Sequence, residues 1–281
     1  MQTTARTEMI PLISAEVSRL RDFLAALDPE AWSRPSACAE WTVGDVVAHL
    51  TQGAQTWSAA ITRARAGDAN PPAGEQMPRP GERASEVIAQ RAIAFRQGMG
   101  EATLLNAFSE GCQRLHQVLL PLQPADWDKP CYHRHGIIMP IRDYVDIRLE
   151  EMTIHGWDIR SAFDAAATLS EPPLPALLGV ALRWLAITFR PVPQLSTPLR
   201  YRFDVPGPAP VQQDMLVSQD GFRSEPVTDR EADVTFRCAT GDYLLLVFGR
   251  RSVEQAVDTG RLEIAGNRQQ ASLFTTLFQG I

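Results

Sequence analysis

Before residue 165 the chain carries four stretches in which apolar residues recur every three or four positions, and that rhythm admits little besides packed helices. Ile13, Val17, Leu20, Leu24 and Leu27 form the first stripe, and Asp28-Pro29 ends it. Thr42-Val-Gly-Asp45 reads as an N-cap with an acidic residue three positions on. Val43, Val46, Val47, Leu50, Ala54, Trp57 and Ile61 follow it as the second stripe. Ser85 opens a third helical region that runs to about Leu120, bent near Gly98 and Gly100. Pro140 suits the first turn of a fourth, whose stripe is Ile141, Val145, Leu149, Met152, Gly156, Ile159 and Phe163. The stretches Gly67–Arg83 and Pro121–Pro140 read as loops. Four stripes with two long connections predict a four-helix bundle.

The texture then changes. Pro172, Pro173 and Pro175 read as a linker into a helix at Leu177–Phe189. Strand-like pieces follow at Leu199–Asp204, Asp214–Ser218, Asp233–Cys238 and Leu262–Ile264. Short helices are expected at Asp242–Phe248, Val253–Asp258 and Gln269–Phe278. The expected fold class is α+β, with a helical bundle over 1–168 and a small α+β domain over 169–281.

The formal net charge of −6 argues against a general nucleic-acid or anionic-membrane surface. Cys38, Cys112, Cys131 and Cys238 are scattered without CxxC spacing, so no disulfide framework is expected. The apolar run Leu174–Phe189 is broken by Arg183 and is short for a membrane span. A cytoplasmic, reducing location is the expectation. No GxSxG, P-loop or dinucleotide-binding glycine pattern occurs.

The chemistry-bearing residues concentrate on the fourth helix. Glu151 and His155 stand at i and i+4, one turn apart on one face, and Asp158 continues that face, with Arg148 preceding it. A carboxylate and an imidazole so placed can share a metal ion, and bundle cores build metal sites from facing helices. His49, at the border of the second stripe, is the strongest third ligand. Two histidines and one carboxylate suit Zn²⁺, with a fourth position open; nickel or iron fits the same set. The same spacing also serves an ordinary Glu–His pair, a boundary histidine and an Asp–Arg pair, and these readings stay open. Cys131, His133 and His135 alternate in an extended segment and form a second, weaker cluster. Cys38 and Cys112 read as small buried hydrophobes.

Two stretches carry a resemblance. Ser36-Ala-Cys-Ala-Glu-Trp-Thr-Val-Gly-Asp-Val-Val-Ala-His-Leu50 and Arg148-Leu-Glu-Glu-Met-Thr-Ile-His-Gly-Trp-Asp158 closely resemble the mycothiol-dependent maleylpyruvate isomerase family, which is similar to the wider DinB-like metal-binding bundles. Asp233-Val-Thr-Phe, Gly241 to Arg250 and Gly260 to Gly266 resemble the sterol-carrier-like second domain of that family. The resemblance implies metal ligands at His49, Glu151 and His155, with Asp158 orienting a ligand from behind. It implies a zinc-dependent enzyme using mycothiol as co-substrate.

On that basis the expected reaction is attack of a metal-activated thiolate on an electrophilic small molecule, giving S-transfer or cis–trans isomerisation of the maleylpyruvate type. Arg148, or Arg250 and Arg251 from the second domain, would hold a substrate carboxylate. A metal-bound-water hydrolase and a non-enzymatic small-molecule carrier are the alternatives. The expected partners are a small-molecule thiol and an electrophile, with no nucleic acid and no membrane, in a monomer or homodimer.

Overall fold

The computed structural model describes residues 2–38, 40–72, 84–133, 136–192, 195, 197–207 and 210–279. Two compact units divide the chain, Met1–Ala167 and Thr168–Ile281.

The first unit is built on four long helices: α1 (Gln2–Ala25), α2 (Val43–Arg65), α4 (Glu101–Leu119) and α5 (Ile141–Arg160). A shorter helix, α3 (Ala84–Arg96), packs on α2. α2 lies against α4 and α5, and α1 lies against the same two. The apolar stripes meet in the middle, where Leu20, Leu24, Val46, Trp57, Phe108, Leu115, Tyr144 and Leu149 are all buried. Burying faces of this kind is what holds such helices together, at about 25 cal/mol per Å² of apolar surface.

The expected third helical region is two helices. Gly98, at φ +79°, ends α3 in a left-handed turn that only glycine adopts without strain, and Gly100 then caps α4. The segment read as irregular after residue 121 contains a short antiparallel hairpin, β1 (Pro130–His133) with β2 (Ile137–Pro140). It leads directly into α5, for which Pro140 is the N-cap.

The second unit opens with α6 (Leu174–Thr188) and then forms a five-stranded sheet in the order β5-β4-β3-β6-β7. Its strands are β3 (Leu199–Val205), β4 (Val211–Ser218), β5 (Gly221–Pro226), β6 (Val234–Cys238) and β7 (Leu262–Gly266). Only the central β3–β6 pair is parallel. Helices α7 (Thr240–Val247), α8 (Val253–Asp258) and α9 (Arg268–Leu277) complete it. Tyr201, Phe203 and Phe236 of the sheet each pack with Phe274 of α9, with ring centroids 5.5–5.7 Å apart. Such aromatic packing dominates the energetics of a small core.

The other sheet face carries charge. Asp214, fully buried, takes hydrogen bonds from Arg200 (3.1 Å) and Arg202 (2.7 Å). Those bonds, with Arg202 the stronger influence, hold its carboxyl below the ordinary carboxylate range. Among the described residues no helix is long and apolar enough to cross a membrane.

Candidate metal centre

The site begins with a helix start. Thr42 accepts a hydrogen bond from the Asp45 backbone N–H, and the Asp45 side chain accepts one from the Thr42 N–H, so two orphan donors at the head of α2 are satisfied reciprocally. Arg96 of α3 donates to Asp45 as well, at 3.2 Å. This fixes where α2 begins and therefore where His49, two turns further on, points. His49 is buried, with the same helix face turned toward α5.

On α5, Glu151 and His155 sit one turn apart. His49 Nε2 lies 3.4 Å from Glu151 Oε1, and the His49 and His155 rings stand edge-on with centroids 5.0 Å apart. The three residues chosen from the sequence thus converge from two helices. His155 Nδ1 lies 2.8 Å from Asp158 Oδ2, and Asp158 is completely buried. A carboxylate on Nδ1 holds the proton there and leaves the lone pair on Nε2.

A short connection closes over the cluster. Between the first 3₁₀ turn and α2, Ser36 Oγ donates to the Trp41 carbonyl and accepts from the Cys38 N–H. The Ala37 N–H donates to the Asp158 carbonyl, which ties the connection to the end of α5. Trp41 is thereby laid against both imidazoles, 5.0 Å from His49 and nearly parallel to His155 at 6.2 Å. Cys38 arrives with it: the ligand atoms of Cys38, His155 and Asp158 lie within 4.8 Å of one another. Sequence reasoning missed this thiol. Cys38 is half-buried and belongs to the site's edge, whereas Cys112 is the buried hydrophobe expected.

Arg148 sits behind Glu151. Its guanidinium is 1% exposed and lies 3.6 Å from Glu151 Oε2. It donates to the Leu50 carbonyl of α2 (3.2 Å) and to Cys112 Sγ of α4 (3.1 Å). One side chain therefore braces three helices and the inner oxygen of the central carboxylate. Burial pushes the Cys112 thiol above its ordinary range, so Arg148 meets a neutral SH there.

The donor set fits a divalent cation. Two ligand atoms each ~2.1 Å from a tetrahedral ion stand ~3.4 Å apart, which is the His49–Glu151 separation. Two imidazoles and one carboxylate are the donor types of catalytic zinc sites, but among the described residues the three-residue group whose ligand atoms all lie within 4.8 Å of one another is Cys38, His155 and Asp158, with His49 and Glu151 meeting the spacing as a pair beside it.

The remaining sequence candidates lie elsewhere. Arg250 and Arg251 are in the second unit, where they line a cavity of about 390 Å³ with Leu246, Phe274 and Phe278. Arg251 is bonded to Asp242 at 2.5 Å. His133 is not on a solvated loop: it is buried on β1 against the rings of Trp57 and Tyr144. His135 lies outside the described residues.

A helical bundle whose facing helices bring two histidines and a carboxylate together, followed in the same chain by a compact α+β unit, defines a two-part class of bundle proteins. The chain belongs to the family described as mycothiol maleylpyruvate isomerase N-terminal domain, whose model matches residues 13–160. A second model, the SCP-2 sterol transfer family, matches residues 198–279. Among solved structures, the mycothiol-dependent maleylpyruvate isomerase is similar over most of the chain. A histidine-to-alanine mutant of it aligns with 16% identity and a TM-score of 0.61, covering 92% of both chains. The isomerase itself aligns with 17% identity and a TM-score of 0.59, covering 87% of this chain and 89% of the other. These likenesses show a shared fold. No curated protein sequence matches.

Proposed function

We propose that the chain is a thiol-using metalloenzyme that binds a divalent cation, zinc by its donor chemistry, at His49, Glu151 and His155. Its co-substrate on this reading is a low-molecular-weight thiol, mycothiol, and its acceptor an electrophilic small molecule. The observation that carries the reading is the 3.4 Å approach of His49 Nε2 to Glu151 Oε1 beside a His155 ring already oriented by Asp158. The family membership of residues 13–160 supports the choice of thiol.

When bound, the cation would supply a positive charge that keeps the thiol deprotonated at neutral pH, where a free thiol of pKa ~8.5 is mostly protonated. The chain's own residues do the rest. Asp158 keeps the His155 proton on Nδ1. Arg148 holds Glu151 in register and balances its charge. Trp41 covers the two imidazoles and sheds water from that side. The thiolate adds to a carbon of an activated cis alkene, the bond rotates, and elimination of the thiolate returns the trans isomer. On a substrate with a leaving group, the same attack gives S-transfer.

The test is elemental analysis of purified protein together with turnover assays on maleylpyruvate, with and without mycothiol. About one zinc per chain, lost in His49→Ala, and turnover only with thiol are expected. Full activity without metal would overturn the centre, and thiol-independent turnover would replace the transfer chemistry by hydrolysis.

A further inference from the structure

A cleft between α1 and α4 shares only Arg148 with the cluster described above. It measures about 320 Å³ and has Arg148, whose side chain is buried, in its lining. Ile13 and Val17 of α1 face Leu115 and Leu119 of α4 across it. Arg148 and Arg21 belong to the lining and no acidic side chain does, although each arginine also pairs with a carboxylate outside it, Glu151 at 3.6 Å and Asp22 at 2.7 Å.

Two of its lining residues carry an unmet need. Arg148 Nε and His116 Nδ1 are buried, and neither has a hydrogen-bond partner among the described residues. An unsatisfied buried polar group costs about 1–3 kcal/mol, so two in the lining of one cleft require an explanation. The guanidinium N–H can only donate, and the imidazole nitrogen donates in one tautomer. What answers both is an anionic acceptor with two oxygens. The apolar walls would stay wet under a bare ion but are covered by a ligand with an apolar body. The volume lies at the small end of ligand sites, about 300–1,000 Å³.

We propose that this cleft is a second ligand site that takes a small organic carboxylate with a flat or compact apolar body, its carboxylate toward Arg148 and His116. The site shares Arg148 with the support of Glu151, but its test does not need the metal centre to be correct.

The test is calorimetric titration of the full-length protein with benzoate, with formate and chloride as ions lacking the apolar body. Saturable benzoate binding is expected in the native chain and in His49→Ala. Ser14→Trp, which fills the cleft from α1, and His116→Leu, which removes the α4 partner, should each weaken it by roughly tenfold or more. Two variants on opposite walls guard against one failing to fold, which circular dichroism checks. Absence of saturable binding overturns the proposal. So does binding unchanged in both cleft variants, or binding lost in His49→Ala but kept in them, since the anion then sits at the cluster. Formate binding as well as benzoate overturns the apolar part.

Discussion

His155 Nδ1 and Asp158 Oδ2 lie 2.8 Å apart on consecutive turns of α5, and the carboxylate is wholly shut from solvent. A buried acid in that place sets which ring nitrogen can serve as a ligand. Asp158→Asn keeps the shape but weakens the hold on the Nδ1 proton. Its zinc affinity is expected to fall about 10–100-fold, read by competition with a chromogenic chelator, with the fold intact by circular dichroism.

Arg148→Met removes the brace behind Glu151. It leaves a carboxylate oxygen and the Leu50 carbonyl buried without their cation. A loss of about 3–5 kcal/mol in unfolding free energy is expected. Denaturant melts of the native chain and the variant would show it; a change within about 0.5 kcal/mol would remove Arg148 from this role.

The second unit carries a pH signature. Asp214 and Glu225 are both held below the ordinary carboxylate range by arginine hydrogen bonds. A depressed folded value means the stabilisation is complete above the unfolded value of about 4 and is lost as pH falls through the folded one. The melting temperature should therefore drop below pH ~4. In Asp214→Asn the starting stability should be lower by about 3 kcal/mol and the acid dependence shallower.

The four thiols should label in a fixed order. Burial pushes Cys131 up to about 11 and Cys238 up to about 12, and raises Cys112 as well. Cys38 alone is half-buried. Iodoacetamide at neutral pH followed by peptide mass spectrometry should find Cys38 modified first. Labelling of Cys131 before it would contradict the packing of β1.

Much of this was legible in the chain, and the misses share a cause. α8, at Val253–Asp258, coincides with the expected helix because Ser252 and Gln255 form a local capping box. His49, Glu151 and His155 were readable because helical periodicity fixes which faces they share. Strand β5 was not, since Gly221–Pro226 is an edge strand whose register comes from pairing with β4 rather than from its own alternation. The hairpin β1–β2 hid for the same reason. Cys38 and Trp41 were missed at the site because they come from a non-periodic connection, placed by the hydrogen bond from Ala37 to the end of α5. Arg148 reads in sequence as a holder of a substrate carboxylate or a partner in an ion pair; packing shows it enclosed by α2, α4 and α5.

The indole of Trp41, pressed against both imidazoles, has a practical consequence. Any event that draws those rings onto a shared ion also alters the polarity and quenching around that indole. Its emission should thus act as a built-in gauge of site occupancy, readable in a cuvette without dyes or substrate. Trp41→Phe should silence that optical response while the binding itself persists.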